Sequence, residues 1–221
     1  MLRGIIFDVD GTLVASNEAH ARSWVEVFAE AGYDVPFGVV WPMIGMGGDK
    51  LLPAAVGIDE DSVQGKELGK QRWEIFRAKY LPHLRPTPGA RALVERMKAD
   101  GFQLVVASSA GGSELGALME AAGIADLIPT ATSSSDAADS KPDPDIVEAA
   151  VRKTGFDPDE LLMIGDTPYD IQAATGAKVR MIALLSGGWR IEELAGAAGI
   201  YDHPADLLEW YDPVFFCKEI I

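Results

Sequence analysis

The sequence predicts an α/β protein with a doubly wound parallel sheet and an inserted α-helical domain. Two observations support this fold class: short apolar runs alternate with segments of helical period, and one long helical stretch interrupts the alternation after the first run. Short, nearly continuous apolar runs are typical of parallel strands that helices cover on both faces. The runs predicted as strands are residues 2–7, 103–107, 160–164 and 179–184, with a weaker one at 127–130.

Helical patterns lie between these runs, at residues 89–100, 113–122 and 143–153. In the last of them the apolar side chains form one stripe, Asp143 is placed to cap the helix, and Pro144 occupies its first position. Strands that alternate with helices in this way predict βαβ units, and therefore a parallel sheet with helices on both faces.

The interruption covers residues 17–83 and contains no convincing strand. It carries two stripes of helical spacing, which comprise Ala21, Trp24, Val25 and Phe28, and then Trp73, Phe76 and Tyr80. We therefore predict a sheet core formed by residues 1–15 and 84–221 and a helical cap formed by residues 16–83. Ligands of open α/β sheets bind at the carboxyl ends of the strands. A cap inserted after the first strand would cover that site.

Acidic residues outnumber basic ones in the 221-residue chain, 34 against 19, which gives a formal net charge of −15. Such a surface repels phosphate backbones and anionic lipid, so we expect no nucleic-acid partner and no membrane partner. No stretch approaches the ~20 apolar residues of a membrane span. The N-terminal apolar run is too short for a signal-peptide core.

The single cysteine, Cys217, cannot form an internal disulfide, which indicates a reducing compartment and predicts a cytoplasmic protein. Phe215 and Phe216 lie beside it and are candidates either to cover the core or to meet a partner. The sequence does not distinguish a monomer from a homodimer.

Four polar clusters each follow a predicted strand, and the first of them begins at Asp8. Two carboxylates in an extended segment, Asp8 and Asp10, point to the same side, and Gly11 permits a tight turn away from the strand. The pair could supply a nucleophile and a proton donor, or two oxygen ligands for a hard cation. A solvated turn is the alternative, but Asp8 ends a buried strand, where an unpaired charge is costly.

The second and third clusters could bind a phosphate group. Ser108 and Ser109 precede glycines that open a helix, so their hydroxyls and the backbone N–H groups could cradle phosphate oxygens. Lys141 precedes Pro142, which keeps it out of the following helix and leaves its ammonium free to reach sideways. Loop serines and single lysines are usually ordinary surface residues, so these two clusters depend on the others for their interpretation.

The fourth cluster contains Asp166 and Asp170. Thr167 can cap a helix that starts at Pro168, which leaves Asp166 at the strand end and Asp170 one turn further on. Two carboxylates that face the first pair could hold Mg²⁺, which favours carboxylates, water and substrate phosphate as ligands. Asp170 taken alone could instead compensate the helix dipole.

In this order, the four clusters resemble the motifs of the haloacid dehalogenase superfamily. The resemblance rests on Asp-Val-Asp-Gly-Thr at 8–12, Ser108 after a strand, Lys141 before a proline, and Gly-Asp-Thr-Pro-Tyr-Asp at 165–170. It spans essentially the whole chain. It implies a Rossmann-like catalytic core, a small helical cap, and a Mg²⁺-dependent phosphatase that hydrolyses a small-molecule phosphate monoester.

The resemblance also implies roles for the polar residues. Asp8 attacks phosphorus and becomes an aspartyl phosphate, while Asp10 protonates the leaving oxygen and then deprotonates the attacking water. Lys141 neutralises charge beside Asp8. The residues expected to contact the phosphate or the substrate are Ser108, Ser109, Lys141, Gly11 and Lys50.

The expected Mg²⁺ ligands are an Asp8 carboxylate oxygen, the Asp10 backbone carbonyl and Asp166, with Asp170 contacting directly or through water. The physical logic agrees, because phosphoryl transfer depends on in-line positioning and on neutralising charge. Two carboxylates cannot approach a phosphate dianion without a cation.

Other reactions of the superfamily fit the sequence less well. Dehalogenases and phosphonoacetaldehyde hydrolases lack the aspartate found here as Asp10; the latter also use a cap lysine, for which Lys50 is the candidate. A phosphosugar mutase of the β-phosphoglucomutase type is the closest alternative. His20 matches that branch, but the glycine-rich loop at 43–48 replaces an arginine, and the motif at 165–170 is similar to that of phosphoglycolate-type phosphatases.

Two non-catalytic alternatives remain to be weighed. A receiver-type module places its phosphoacceptor in the middle of the chain, which the N-terminal position of Asp8 contradicts. A phosphate-binding pseudoenzyme is a minor alternative, because every polar motif position is filled.

Substrate choice is expected from the cap around Ile44 to Leu52, with Lys50 and Arg72 as candidates to attract an anionic substrate.

Overall fold

Six parallel strands form one sheet in the order β3-β2-β1-β4-β5-β6 in the computed structural model, which describes residues 1–212. The strands are β1 (Gly4–Phe7), β2 (Gln103–Ala107), β3 (Ala131–Thr132), β4 (Leu161–Gly165), β5 (Arg180–Leu184) and β6 (Gly199–Tyr201). The predicted fold class is confirmed. The weak strand predicted at 127–130 is wrong in position, because the short strand β3 directly follows those residues. The strand β6 was not predicted.

The chain builds outward from β1 in both directions, with β2 and β3 on one side and β4, β5 and β6 on the other. The connections therefore leave β1 and β4 in opposite directions. In doubly wound sheets this reversal opens a crevice at the carboxyl ends of the two strands, and ligands bind there.

Helices cover both faces of the sheet. The side chains of β1 point alternately to the two faces of the sheet. Ile5 and Phe7 belong to the apolar cluster on one face, and Ile6 belongs to the cluster on the other. The covering helices are α5 (Ala90–Ala99), α6 (Gly112–Ala121) and α9 (Pro204–Glu209) on the first face, and α7 (Asp145–Thr154) and α8 (Pro168–Gly176) on the second.

The segment between β1 and α5 is helical, as predicted. Its helices are α1 (Asn17–Glu30), α2 (Phe37–Val40), α3 (Gly48–Val56) and α4 (Val63–Ile75), and α4 continues as a π-helical turn, Phe76–Tyr80. A third apolar cluster lies within this segment and includes Trp24, Phe28 and Leu52. We call this helical segment the cap; that residues 16–83 form a domain of their own stays a prediction, which this apolar cluster supports.

Two predicted helix starts have different outcomes. Thr167 caps α8 as expected, since its hydroxyl accepts a hydrogen bond from the backbone N–H of Asp170. Asp143 does not cap α7, which begins at Asp145 after Pro144. The Asp143 carboxylate lies 2.8 Å from the Lys50 ammonium instead, so a tertiary ion pair takes the place of the local cap.

Within residues 1–212, every helix is too short or too polar to cross a membrane. Phe215, Phe216 and Cys217 lie outside the described residues.

Candidate active site

Asp8 lies at the carboxyl end of β1, in the crevice between β1 and β4. Its backbone N–H donates to the carbonyl of Ile164 at 2.9 Å, and the residue is 6 % exposed. Burial raises the pKa of Asp8 to about 7, with Lys141 opposing the rise and the Asp170 and Asp10 carboxylates adding to it. A buried carboxylate that forms an ion pair with a nearby cation is suited to nucleophilic attack at neutral pH.

Lys141 supplies that cation. Its Nζ lies 2.5 Å from Asp8 Oδ1 and 2.7 Å from Asp170 Oδ1, and it donates to the Ala107 carbonyl at 3.1 Å. Burial alone would lower the pKa of Lys141, but the charges of Asp170 and Asp8 outweigh it and raise the pKa. The ammonium therefore stays charged beside Asp8.

Asp8, Asp166 and Asp170 form a buried acidic cluster. One carboxylate oxygen from each lies within 4.8 Å of the others, close enough to share a metal ion. Burial raises the pKa of Asp166 well above its usual range, and the charges of Asp8 and Asp170 add to the rise. One ammonium cannot neutralise three buried carboxylates, so this donor set of hard oxygens fits a divalent cation such as Mg²⁺.

Two side chains between the end of β1 and the start of α1 hold the Asp166 carboxylate in place. Thr12 Oγ1 donates to Asp166 Oδ1 at 2.8 Å, and Asn17 Nδ2 donates to Asp166 Oδ2 at 2.8 Å. Such outer hydrogen bonds orient a metal-binding carboxylate. Asn17 was not predicted from the sequence, because an asparagine at a helix start has no motif of its own.

Gly11 occupies the turn that separates Asp10 from the cap. Its φ of +73° favours glycine, and a Cβ built there would lie 2.2 Å from Asp166 Oδ2. Gly11 thus lets the chain approach the acidic cluster closely. It was expected to contact phosphate, but it does not line the pocket beside Asp8, and that role stays a prediction.

Ser108 and Ser109 lie between β2 and α6. Ser108 Oγ accepts a hydrogen bond from the backbone N–H of Ala110 at 3.1 Å and fixes the loop. Ser109 Oγ is buried and has no hydrogen-bond partner among the described residues. Both serines line the pocket with Asp8 and Lys141. A hydroxyl without a partner, next to a helix N-terminus, fits an anion such as phosphate.

Asp10 faces the cap rather than the acidic cluster. Its Oδ1 lies 2.7 Å from His20 Nε2 and accepts from Ser16 Oγ at 2.5 Å. Arg72 Nη1 lies 3.3 Å from the other His20 nitrogen, Nδ1. Because a guanidinium only donates, the Arg72 contact favours the form of His20 in which Nδ1 accepts and Nε2–H donates to Asp10.

These contacts favour the ionised form of Asp10, which is the form that can act as a base. Burial by itself would raise its pKa, but the contacts with His20 and Ser16 outweigh burial and hold the pKa of Asp10 below its usual range. Asp10 was predicted to bind metal through its backbone carbonyl. The three-carboxylate cluster does not include its side chain, and the backbone contact stays a prediction.

Lys50 lies at a contact between the cap and the core. Its Nζ is 2.6 Å from Asp139 Oδ1 and 2.8 Å from Asp143 Oδ2, and these two hydrogen bonds raise its pKa. The neighbouring Ser140 accepts from the Gly47 N–H at 3.0 Å and donates from its own N–H to Asp49 at 3.2 Å. Lys50 does not line the pocket beside Asp8. Its predicted contact with substrate stays untested, and these ion pairs do not favour it.

The pocket beside Asp8 has an empty volume of about 590 Å³, its open mouth included. The core side contributes Asp8, Asp170, Lys141 and the two serines. The cap side contributes His20, Trp24 and Arg72 together with the loop at 44–48. A group held at Asp8 therefore meets cap residues on its far side.

The fold and the site together are those of an α/β hydrolytic enzyme. Its buried aspartate and lysine line a pocket that the helical segment covers. The family model for haloacid dehalogenase-like hydrolases matches residues 5–184, and the chain belongs to this family. Phosphoglycolate phosphatase from Rhodospirillum rubrum is 31% identical over 220 residues, which cover 95% of this chain and 91% of that protein. The chain is a phosphatase.

Further similarities extend over nearly the whole fold. A hydrolase from Pseudomonas syringae superposes with a TM-score of 0.87 at 30% identity, covering 94% of this chain and 97% of that one. CbbY from Rhodobacter sphaeroides, in complex with phosphate, gives 0.80 at 27% identity, with 94% and 96% covered. The Arabidopsis thaliana chloroplastic protein SUPPRESSOR OF QUENCHING 1 is 34% identical over 187 residues, 81% of this chain but only 17% of that protein.

Proposed function

We propose that this enzyme is a Mg²⁺-dependent phosphatase that hydrolyses a small-molecule phosphate monoester through an aspartyl phosphate on Asp8. The position of Asp8 carries the proposal. It is a buried carboxylate at the carboxyl end of β1 that lines the pocket, and its Oδ1 is paired with Lys141 at 2.5 Å. The similarity to phosphoglycolate phosphatase and to CbbY supports the same reaction class.

The first half-reaction forms the phosphoenzyme. Lys141 and the hydroxyls of Ser108 and Ser109 bind the phosphoryl oxygens, and an Asp8 oxygen attacks phosphorus in line with the leaving oxygen. The bond from phosphorus to the leaving oxygen breaks, and that oxygen takes a proton from Asp10, whose protonated form is favoured while the negatively charged substrate lies beside it.

The second half-reaction releases phosphate. Asp10 is then ionised, and its contacts with His20 and Ser16 favour this form. Its carboxylate removes a proton from a water molecule that attacks phosphorus and displaces Asp8. Asp8, Asp166 and Asp170 would hold Mg²⁺, which when bound neutralises charge on the phosphoryl oxygens.

We expect the purified protein to hydrolyse p-nitrophenyl phosphate only when Mg²⁺ is present. Removal of the metal with EDTA should abolish hydrolysis, and added Mg²⁺ should restore it, because the acidic cluster otherwise repels the phosphate dianion. Release of nitrophenolate and of inorganic phosphate measures the reaction. β-Glucose 1-phosphate, assayed for glucose 6-phosphate, distinguishes a mutase. Full activity in EDTA, or an isomerised product in place of free phosphate, would contradict the proposal.

Binding of Mg²⁺ should stabilise the protein more at high pH than at low pH. The pKa of Asp8 is about 7 and that of Asp166 is raised, while both are near 4 in an unfolded chain. Without metal, these two groups in the folded state therefore hold protons that the unfolded chain releases between about pH 4 and pH 7, and their contribution to stability falls as pH rises through that window. Mg²⁺ competes with those protons, so it binds more tightly as they leave.

Thermal unfolding in EDTA and in Mg²⁺, at about pH 5.5 and about pH 8, measures this effect. The increase in Tm on adding Mg²⁺ should be larger at the higher pH. It should disappear in Asp166→Asn and persist in Asp159→Asn, a change at an exposed residue outside the cluster. An equal Mg²⁺ response at both pH values would contradict protonation of the acidic cluster.

A further inference from the structure

A pair of opposite charges in the pocket beside Asp8 joins the cap to the core. Arg72, at the end of α4 in the cap, and Glu114, in the first turn of α6 in the core, both line the pocket. Arg72 Nη1 donates to Glu114 Oε1 at 2.6 Å, and Nη2 donates to Oε2 at 2.7 Å. A parallel pair of such hydrogen bonds is the strong form of an arginine–carboxylate contact.

Both side chains are largely removed from water and held in place. The exposed fraction is 13% for the Arg72 side chain and 8% for that of Glu114. The Arg72 guanidinium also lies 5.3 Å from the Trp24 ring centroid and 5.8 Å from that of Phe76. Its Nη1 contacts His20 as well. The guanidinium is therefore fixed by groups on several sides, and its charge is balanced within the protein.

No other permanent cation of the described residues is available for a second anionic group of a substrate. Apart from Arg72, the only lysine or arginine that lines the pocket along residues 1–212 is Lys141, which is paired with Asp8 and Asp170. Lys50 is paired with Asp139 and Asp143 outside the pocket.

We propose that Glu114 determines substrate specificity by neutralising Arg72, so that the enzyme selects phosphate monoesters whose leaving group is uncharged and hydroxylated. This inference rests on the proposed phosphatase function. A carboxylate or a second phosphate on the substrate would meet the Glu114 carboxylate and would have to displace it from Arg72, leaving a buried charge without a partner. A hydroxyl can donate to a Glu114 oxygen while the ion pair remains.

The prediction is tested with pairs of substrates that differ only in this charge. 2-Hydroxyethyl phosphate is compared with 2-phosphoglycolate, and glycerol 3-phosphate is compared with 3-phosphoglycerate. In each pair a hydroxymethyl group replaces a carboxylate, while the phosphate ester is unchanged. We expect kcat/KM to favour the uncharged member by at least about tenfold. An equal kcat/KM, or a preference for the carboxylates, would overturn the proposal.

The variant Glu114→Gln tests whether the charge of Glu114 sets this preference. Glutamine keeps the size and one acceptor oxygen but removes the charge, so Arg72 becomes free to bind a carboxylate. The ratio of kcat/KM for the uncharged substrate to that for the carboxylate should fall at least about fivefold, chiefly through a lower KM for the carboxylate. The matched control is Glu120→Gln, an exposed position on the same helix with the same change in charge. It should leave the ratio at the wild-type value.

The outcomes separate this proposal from the proposed function. If the wild-type protein does not hydrolyse p-nitrophenyl phosphate in Mg²⁺, the phosphatase function itself fails. If it does, but prefers phosphoglycolate, only the role of Glu114 fails. The wild-type substrate pairs decide the matter even if Glu114→Gln does not fold, and an unchanged ratio in a folded Glu114→Gln variant overturns the assignment.

Discussion

Asp8→Asn is expected to lower the kcat of phosphate-ester hydrolysis by at least about 10³-fold, with no phosphoenzyme formed. An amide is not a nucleophile toward phosphorus, and the asparagine has nearly the same shape as the aspartate. Hydrolysis of p-nitrophenyl phosphate and the intact mass of acid-quenched protein measure the two effects. More than a trace of Mg²⁺-dependent turnover in this variant would mean that another group attacks phosphorus.

The same variant is expected to stay folded, so that loss of activity is not loss of structure. Burial raises the pKa of Asp8, which means that its charged form is costly in the metal-free protein. Asparagine removes this charge, and Lys141 keeps its contact with Asp170 at 2.7 Å. The Tm of Asp8→Asn in EDTA at neutral pH should therefore equal or exceed that of the wild type. The exposed change Asp159→Asn is the control for activity and should retain it.

Asp10→Asn is expected to lower steady-state kcat by about 10²- to 10⁴-fold while still allowing the phosphoenzyme to form. The leaving oxygen of p-nitrophenyl phosphate needs little protonation, so attack by Asp8 on this substrate can proceed. The water that hydrolyses the phosphoenzyme still needs a base, and an amide cannot act as one. The substituted side chain can keep the hydrogen bond from His20 Nε2, since its amide oxygen still accepts.

Rapid mixing of this variant with p-nitrophenyl phosphate should give one burst of nitrophenolate per enzyme, followed by slow release. An alkyl phosphate, whose leaving oxygen does need the proton, should give no burst. The double variant Asp8→Asn with Asp10→Asn is the control and should lose the burst. Wild-type steady-state turnover in Asp10→Asn would contradict the acid and base role of this residue.

The sequence predicts the strands and their polar ends well because both signals are local. A buried strand is a short apolar run, and Asp8 and Asp166 come directly after β1 and β4. The parallel order of the sheet then brings these strand ends together. The weak strands are different: β3 has two residues and β6 has three, too few for a periodic pattern to distinguish them from loops.

The residues that the sequence did not reveal depend on partners far along the chain. Asn17 binds an aspartate 149 positions away, and Glu114 pairs with Arg72 across 42 positions. Neither residue lies in a motif, and an isolated asparagine or glutamate on a helix is usually a surface residue. Arg72 was expected to attract an anionic substrate, and only the structure shows that a core carboxylate already occupies its guanidinium.

The division of the apolar residues among three clusters has a consequence for how such enzymes diverge. The strands that present Asp8 and Asp166 are supported by the two clusters on the sheet, whereas Trp24 and much of the wall facing the leaving group are supported by the cap cluster. Descendants can therefore alter the wall while the reacting groups are inherited unchanged. Contacts that cross from the helical segment to the core limit this freedom. Among them, the ion pair at positions 72 and 114 should change together among relatives, because either charge alone would be buried without its partner.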